Sequence, residues 1–140
     1  METNNMSTNA PVLTFVANGN ILPARFISVD ATLDFGCLQS GAGSKVVGVG
    51  QLGIGTPPGV AGSSAYAATA GKAIAVYGIG QPCYLTAGGV VTRGDLLKAD
   101  TNGKGVAGVS ANDYYGAIAL ESGVDDALIR VQVLVGQKTN

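Results

Sequence analysis

The chain has no histidine, no tryptophan, only two cysteines, and charge on just 12% of its residues. Each shortage excludes something. Without histidine, neither a Ser-His-Asp nor a Cys-His arrangement for nucleophilic catalysis can form. A metal site would have to be built from carboxylates alone. Cys37 and Cys83 form no C-x-x-C pair and have no histidine to join them. They read as small buried apolar residues of a reducing compartment. A disulfide between them stays open, because sequence does not fix their Cα separation. The eight Lys and Arg are scattered and the net charge is −1. Phosphate binding needs clustered basic residues, so nucleic acid is not expected as the main partner. No apolar run approaches the length of a membrane span. The N-terminus lacks the basic and apolar regions of a signal peptide.

What is present is small and apolar. The 140 residues suffice for one domain with its own core. Apolar residues make up 46%, and 22 residues are glycine. So little charge cannot cover a large exposed surface. Much of that surface should therefore meet another protein, in a homo-oligomer or a larger assembly. A monomer that buries many small residues is the alternative. Residues 80–109 set the pattern: apolar bursts separated by the turns Ala87-Gly88-Gly89, Arg93-Gly94-Asp95 and Thr101-Asn102-Gly103. Asn102-Gly103 fits a two-residue type I′ hairpin turn, which needs positive φ at both central residues. The sequence thus predicts short antiparallel strands joined by tight turns, with no reactive side chain at the centre.

Along the chain, residues 1–10 are polar and aperiodic, and residues 11–16 are apolar and β-prone. Together, 1–16 read as an extended N-terminal arm able to pair with a neighbour's sheet edge. A frayed terminus followed by an ordinary first strand is the other reading. Residues 17–140 read as a single β domain. Strands are predicted over 21–29, 36–39, 45–49, 73–79, 115–120 and 127–135, with Pro23 confining the start of the first to an edge or bulge. Residues 53–71 form a long Gly/Ala/Pro-rich excursion of the kind that is functional or contacts partners. Its end, 63–71, is the one plausible short helix. In the last strand Ile129, Val131, Val133 and Val135 alternate with Leu128, Arg130, Gln132 and Leu134, so the first set should face the core. Residues 36–49 echo 94–109: both run Gly-x-Leu, a polar turn, Lys, then Val and Gly. A pair of repeated hairpins or a coincidence of composition would each account for this.

The search for chemistry returns little. Gly48-Val-Gly-Gln-Leu-Gly53 matches G-x-G-x-x-G, but Thr56-Pro57-Pro58 follows where a helix should open. Asp95, Asp100 and Asp113 sit beside turn residues, where Asp bonds its own backbone. No enzyme activity, cofactor or small-molecule substrate is expected. Tyr114 and Tyr115 are interface anchors or core rings. With Tyr66 they are candidates for an oligomer interface, or for stacking on sugars in a carbohydrate- or receptor-binding module.

Three passages carry a resemblance. They are Gly71-Lys-Ala-Ile-Ala-Val-Tyr-Gly-Ile-Gly-Gln-Pro-Cys-Tyr-Leu, then Gly94-Asp-Leu-Leu-Lys-Ala-Asp-Thr-Asn-Gly-Lys-Gly-Val-Ala-Gly-Val, then Gly116-Ala-Ile-Ala-Leu-Glu-Ser-Gly running into Leu128-Ile-Arg-Val-Gln-Val-Leu-Val. In this order the chain, over residues 21–135, resembles the capsid decoration (cement) proteins of tailed bacteriophages. The resemblance implies an all-β domain, a small barrel or β-tulip of short antiparallel strands. It implies homotrimers on the outer surface of an icosahedral head, made in the host cytoplasm and bound to the major capsid protein. The arm would reach neighbouring capsid subunits, which makes Met6, Pro11, Val12, Leu13 and Phe15 the candidate capsid contacts. The 53–71 excursion has no counterpart in the family pattern.

Overall fold

The computed structural model describes residues 12–54 and 65–139. The fold is all-β, with no helix among the described residues. Strands β1 (Val12–Ala17), β2 (Phe26–Val29), β3 (Gly36–Gln39), β4 (Gly48–Gly50) and β5 (Ala73–Tyr77) close a barrel in the order β1-β3-β2-β4-β5. Strands β6 (Pro82–Thr86), β7 (Leu96–Ala99), β8 (Gly105–Val106), β9 (Tyr114–Ala119) and β10 (Leu128–Gln137) form a second sheet in the order β6-β10-β9-β7-β8. A parallel bridge from Ala87 to Gly105 joins the two edges of that sheet.

The two halves are one topology used twice. In the first, β1 runs parallel to β3 and antiparallel to β5, while β2 pairs with β3 and β4. In the second, β6, β7, β8, β9 and β10 take the places of β1 to β5. The register agrees pair for pair. Val12–Tyr77, Thr14–Ala75 and Val16–Ala73 correspond to Pro82–Gln132, Tyr84–Arg130 and Thr86–Leu128. Phe26–Val49 and Ile27–Gly48 correspond to Leu96–Ile118 and Leu97–Ala117. Even the isolated bridge Ile21–Ala68 recurs as Val91–Gly123. We call residues 12–77 and 82–137 the N- and C-terminal modules. The connection from β4 to β5 is the long one, and it contains the sequence's excursion. Residues 55–64 of that excursion lie outside the described residues.

Turn chemistry explains where strands start. The N–H groups of Lys72, Gln81, Asp95, Asp113 and Ala127 each donate to the carbonyl three residues back. In each of these turns the third residue has positive φ: Gly71, Gly80, Gly94, Asn112 and Asp126. That is the type II pattern, which favours Gly or Asn at this place. Asn102-Gly103 does not form the expected type I′ turn. Only Gly103 has positive φ (74°). Asp100 organises the loop instead, its Oδ1 accepting the N–H of Asn102 at 2.8 Å and of Lys104 at 2.9 Å.

Several expectations change. Of residues 21–29, Ile21 forms only a bridge and β2 starts at Phe26, because Pro23-Ala24 turn the chain. Residues 12–16, grouped with the arm on sequence, are part of β1, paired with β5 and β3, and belong to the barrel. Residues 65–71 contain bends, a bridge and a turn and no helix. The echo of 36–49 with 94–109 is out of frame. The register sets Gly94 opposite Ala24, and it sets β3 opposite β8.

Two apolar clusters form the core among the described residues. Ile21, Ile27, Ile74, Val76 and Cys37 pack inside the N-terminal barrel. Leu85, Leu97, Ile129, Val131 and Val133 pack inside the C-terminal sheet, joined by Phe26, Val46 and Val49 from the outside of the barrel. Strand β10 alternates as expected through Ile129, Val131 and Val133, which are buried; Val135, at the register shift between Val133 and Gly136, is only half-buried. Burying each such side chain stabilises the fold by about 1.5–3 kcal/mol.

Candidate interaction surface

No group of three or more His, Cys, Asp or Glu side chains suited to a metal occurs among the described residues. The polar groups that do converge lock the modules together. The tip of the β7–β8 hairpin lies on the barrel. Gly103 C=O accepts from Phe26 N–H at 2.8 Å. Asn102 C=O accepts from Arg25 Nη1 and Gln39 Nε2, both at 2.8 Å. A Cβ on Gly103 would lie 2.9 Å from Gln39 Cγ, so only glycine seats here. Beside it Lys104 binds Asp126, with Asp125 at 3.7 Å. That contact raises the Lys104 pKa and lowers that of Asp126. Burial lowers the Arg25 pKa against the pull of Asp100 and Asp126, and its buried Nε has no partner among the described residues.

Large apolar side chains stand exposed at several points, and three of these lie at a strand start or beside a turn. Val12 and Leu13 open β1 at 44% and 52% exposure. Val90 and Val124 flank the Val91–Gly123 bridge; the N-terminal module has Asn20 and Thr69 in those positions. The third place is the β2–β3 hairpin, with Val29, Leu33, Phe35 and Leu38. Phe35 is 77% exposed and has φ 57°, a conformation unfavourable to a bulky residue.

The tertiary arrangement distributes the expected contact residues unevenly. Met6 and Pro11 lie outside the described residues. Val12 and Leu13 are exposed and Phe15 is half-buried, its backbone paired with Ile74. Tyr66 is half-buried next to the buried Ala67 and Ala68 in the N-terminal module. Tyr114 and Tyr115, also half-buried, open β9 in the other module. Lys45 lies 5.5 Å from the Tyr114 ring, and the Tyr115 ring covers Gly136. The β2–β3 tip was not picked out on sequence. Its one signal is Leu33-Asp34-Phe35-Gly36, a turn that lacks Gly or Asn where φ is positive.

The chain matches no protein-family model and no curated protein. Among solved structures it is similar to the head fiber gp8.5 N base of bacteriophage phi29. The TM-score is 0.55 at 15% identity, over 89% of this chain and 93% of that one.

Proposed function

We propose, from the fold it shares with the head fiber base of a phage, that this chain is a structural protein of a tailed-phage virion. In this reading it is a decoration protein without catalytic chemistry. It sits as a homotrimer on the outer surface of the head and bridges major capsid subunits. The observation that carries the reading is the fold match, which covers 89% of this chain and 93% of the head fiber base. The low charge and the exposed Val12 and Leu13 beside the chain's N-terminal segment agree with it. A protein that binds only the expanded shell stabilises that shell by mass action. Several weak contacts on one trimer act together through effective concentration.

Co-sedimentation with undecorated expanded shells of the source phage tests this. The expected result is saturable binding in multiples of three copies. Deleting residues 1–10, or changing Val12→Ser with Leu13→Ser, should weaken binding at least tenfold while the domain stays folded. A folded protein that leaves the shells bare would overturn the proposal.

A further inference from the structure

The duplication allows one module to be read against the other. The tip of the C-terminal module's hairpin is seated on the N-terminal module, against Arg25, Phe26, Gln39 and Ser40. By the strand register, those four residues correspond to Asp95, Leu96, Ala107 and Gly108. In the C-terminal module that place is an open groove of about 360 Å³, lined by Gly94, Asp95, Leu96, Gly108, Val109 and Lys138. The hairpin that would be its counterpart is β2–β3, and that hairpin is exposed. Ala99, just before the seated tip, is 4% exposed, whereas its equivalent Val29 is 55% exposed. Gly103 is buried in its seat; its equivalent is Phe35. Phe26 and Val49 are buried at the contact between modules, and their equivalents Leu96 and Ile118 are only half-buried.

Within one chain the β2–β3 tip and the groove belong to different modules, and both are open. We infer that the β2–β3 tip of one copy inserts into the Gly94–Leu96 and Gly108–Val109 groove of a second copy, at the place equivalent to the β7–β8 seat; there Ala107 stands where Gln39 excludes a side chain on Gly103, and the shorter residue leaves the space that Phe35 needs. Three observations select a second copy as the occupant. The seat is already proven inside the chain for the equivalent hairpin. The tip is the apolar member, and Leu96 and Val109 give the groove an apolar floor. The groove also carries a cation for an acidic tip: Asp95 replaces Arg25 and cannot donate to a carbonyl, and Lys138, whose Nζ donates to the Val109 carbonyl at 3.3 Å, is the basic residue of the lining available to Asp34. The contact is heterologous, so copies add head to tail and close into a ring if the rotation permits. This goes beyond the shell-binding reading and stands without it, since self-association is measured with no capsid present.

The test uses the purified full chain in analytical ultracentrifugation. Wild type should associate in the micromolar to sub-millimolar range, that is, with Kd below about 1 mM. Phe35→Gly removes the apolar anchor and relieves the positive-φ strain. It should associate at least about tenfold more weakly while unfolding at an equal or higher temperature, which separates interface loss from misfolding. Lys138→Glu should weaken association from the groove side. Mixed with Phe35→Gly, which keeps an intact groove, Lys138→Glu, which keeps an intact tip, should form 1:1 dimers and nothing larger. Wild type that stays monomeric at about 1 mM, Phe35→Gly that associates like wild type, or a mixture that forms no dimer would each overturn the inference.

Discussion

At the scale of single residues, the conformations that glycine tolerates mark the strand entrances, and the exceptions mark places under constraint. Asn112 and Asp126 sit at positive φ as their short polar side chains allow. Ala24 and Phe35 do not fit that rule: Ala24 is buried, whereas Phe35 carries its large apolar ring into solvent. The two cysteines behave oppositely: they are quiet. Burial, with a smaller push from Asp30, raises the Cys37 thiol to about 11, and burial raises Cys83 to about 12. At pH 8 roughly one molecule in a thousand carries a Cys37 thiolate, and fewer carry one at Cys83. An aromatic disulfide reagent should therefore leave the native protein unlabelled over minutes and release two equivalents once guanidinium is added. Prompt stoichiometric labelling of the native chain would show that this burial is wrong.

At the scale of elements, close backbone approach decides more than propensity. Gly116 in β9 lies against the barrel, and a Cβ there would stand 2.6 Å from Val46 Cγ1 and 2.7 Å from Phe26 Cε1. Gly116→Val should cost about 1–3 kcal/mol in denaturant titration, and adding Val46→Ala should restore part of the loss. An unchanged midpoint would mean that the modules are not pressed together at this point. Strand β10 was legible in advance because its buried face repeats every second residue through Ile129, Val131 and Val133. Strand β4, only Gly48–Gly50, was not legible to the residue. Its burial comes from neighbours on both sides and its own side chains carry no alternation. The β7–β8 turn was placed correctly and typed wrongly, because the Asp100 carboxylate outcompetes the Asn-Gly signal for the loop amides.

At the scale of the whole molecule, the modules share one of the two clusters, so they should not melt separately. Phe26, Val46 and Val49 lose their cover if the C-terminal module opens. Tyrosine fluorescence and far-ultraviolet circular dichroism should report one coincident unfolding transition. Two separated transitions would break the shared-core account. The acid limb follows from three carboxylates held below their ordinary pKa. The Asn18 side chain and the Thr32 N–H lower Asp30, Lys98 at 2.9 Å and the Ser110 N–H lower Asp113, and Lys104 lowers Asp126. Their contribution is complete above the usual carboxylate value near about 4 and is lost as pH falls through the depressed values. The melting temperature should be level from neutral pH down to about 5 and drop below about 4. Asp113→Asn should shallow that drop, and the same slope in the variant would remove Asp113 from the account.

Sequence by itself determined the class: short strands, glycine turns, the inward face of β10, and the absence of histidine chemistry. Those follow from local rules, the period of two and the demands of φ, which act within a few residues. It also hinted at repetition, but in the wrong frame. The duplication is kept in hydrogen-bond register and in apolar character, as in Phe15 with Leu85, Ile27 with Leu97 and Val76 with Val131, and not in residue identity. Only the tertiary structure decided that Val12–Ala17 closes a barrel, that one hairpin tip is seated and its twin is bare, and that the equivalent seat in the C-terminal module is an open groove. Those facts depend on which surfaces meet across dozens of residues, where burial, shape and charge are settled by partners that no local pattern names.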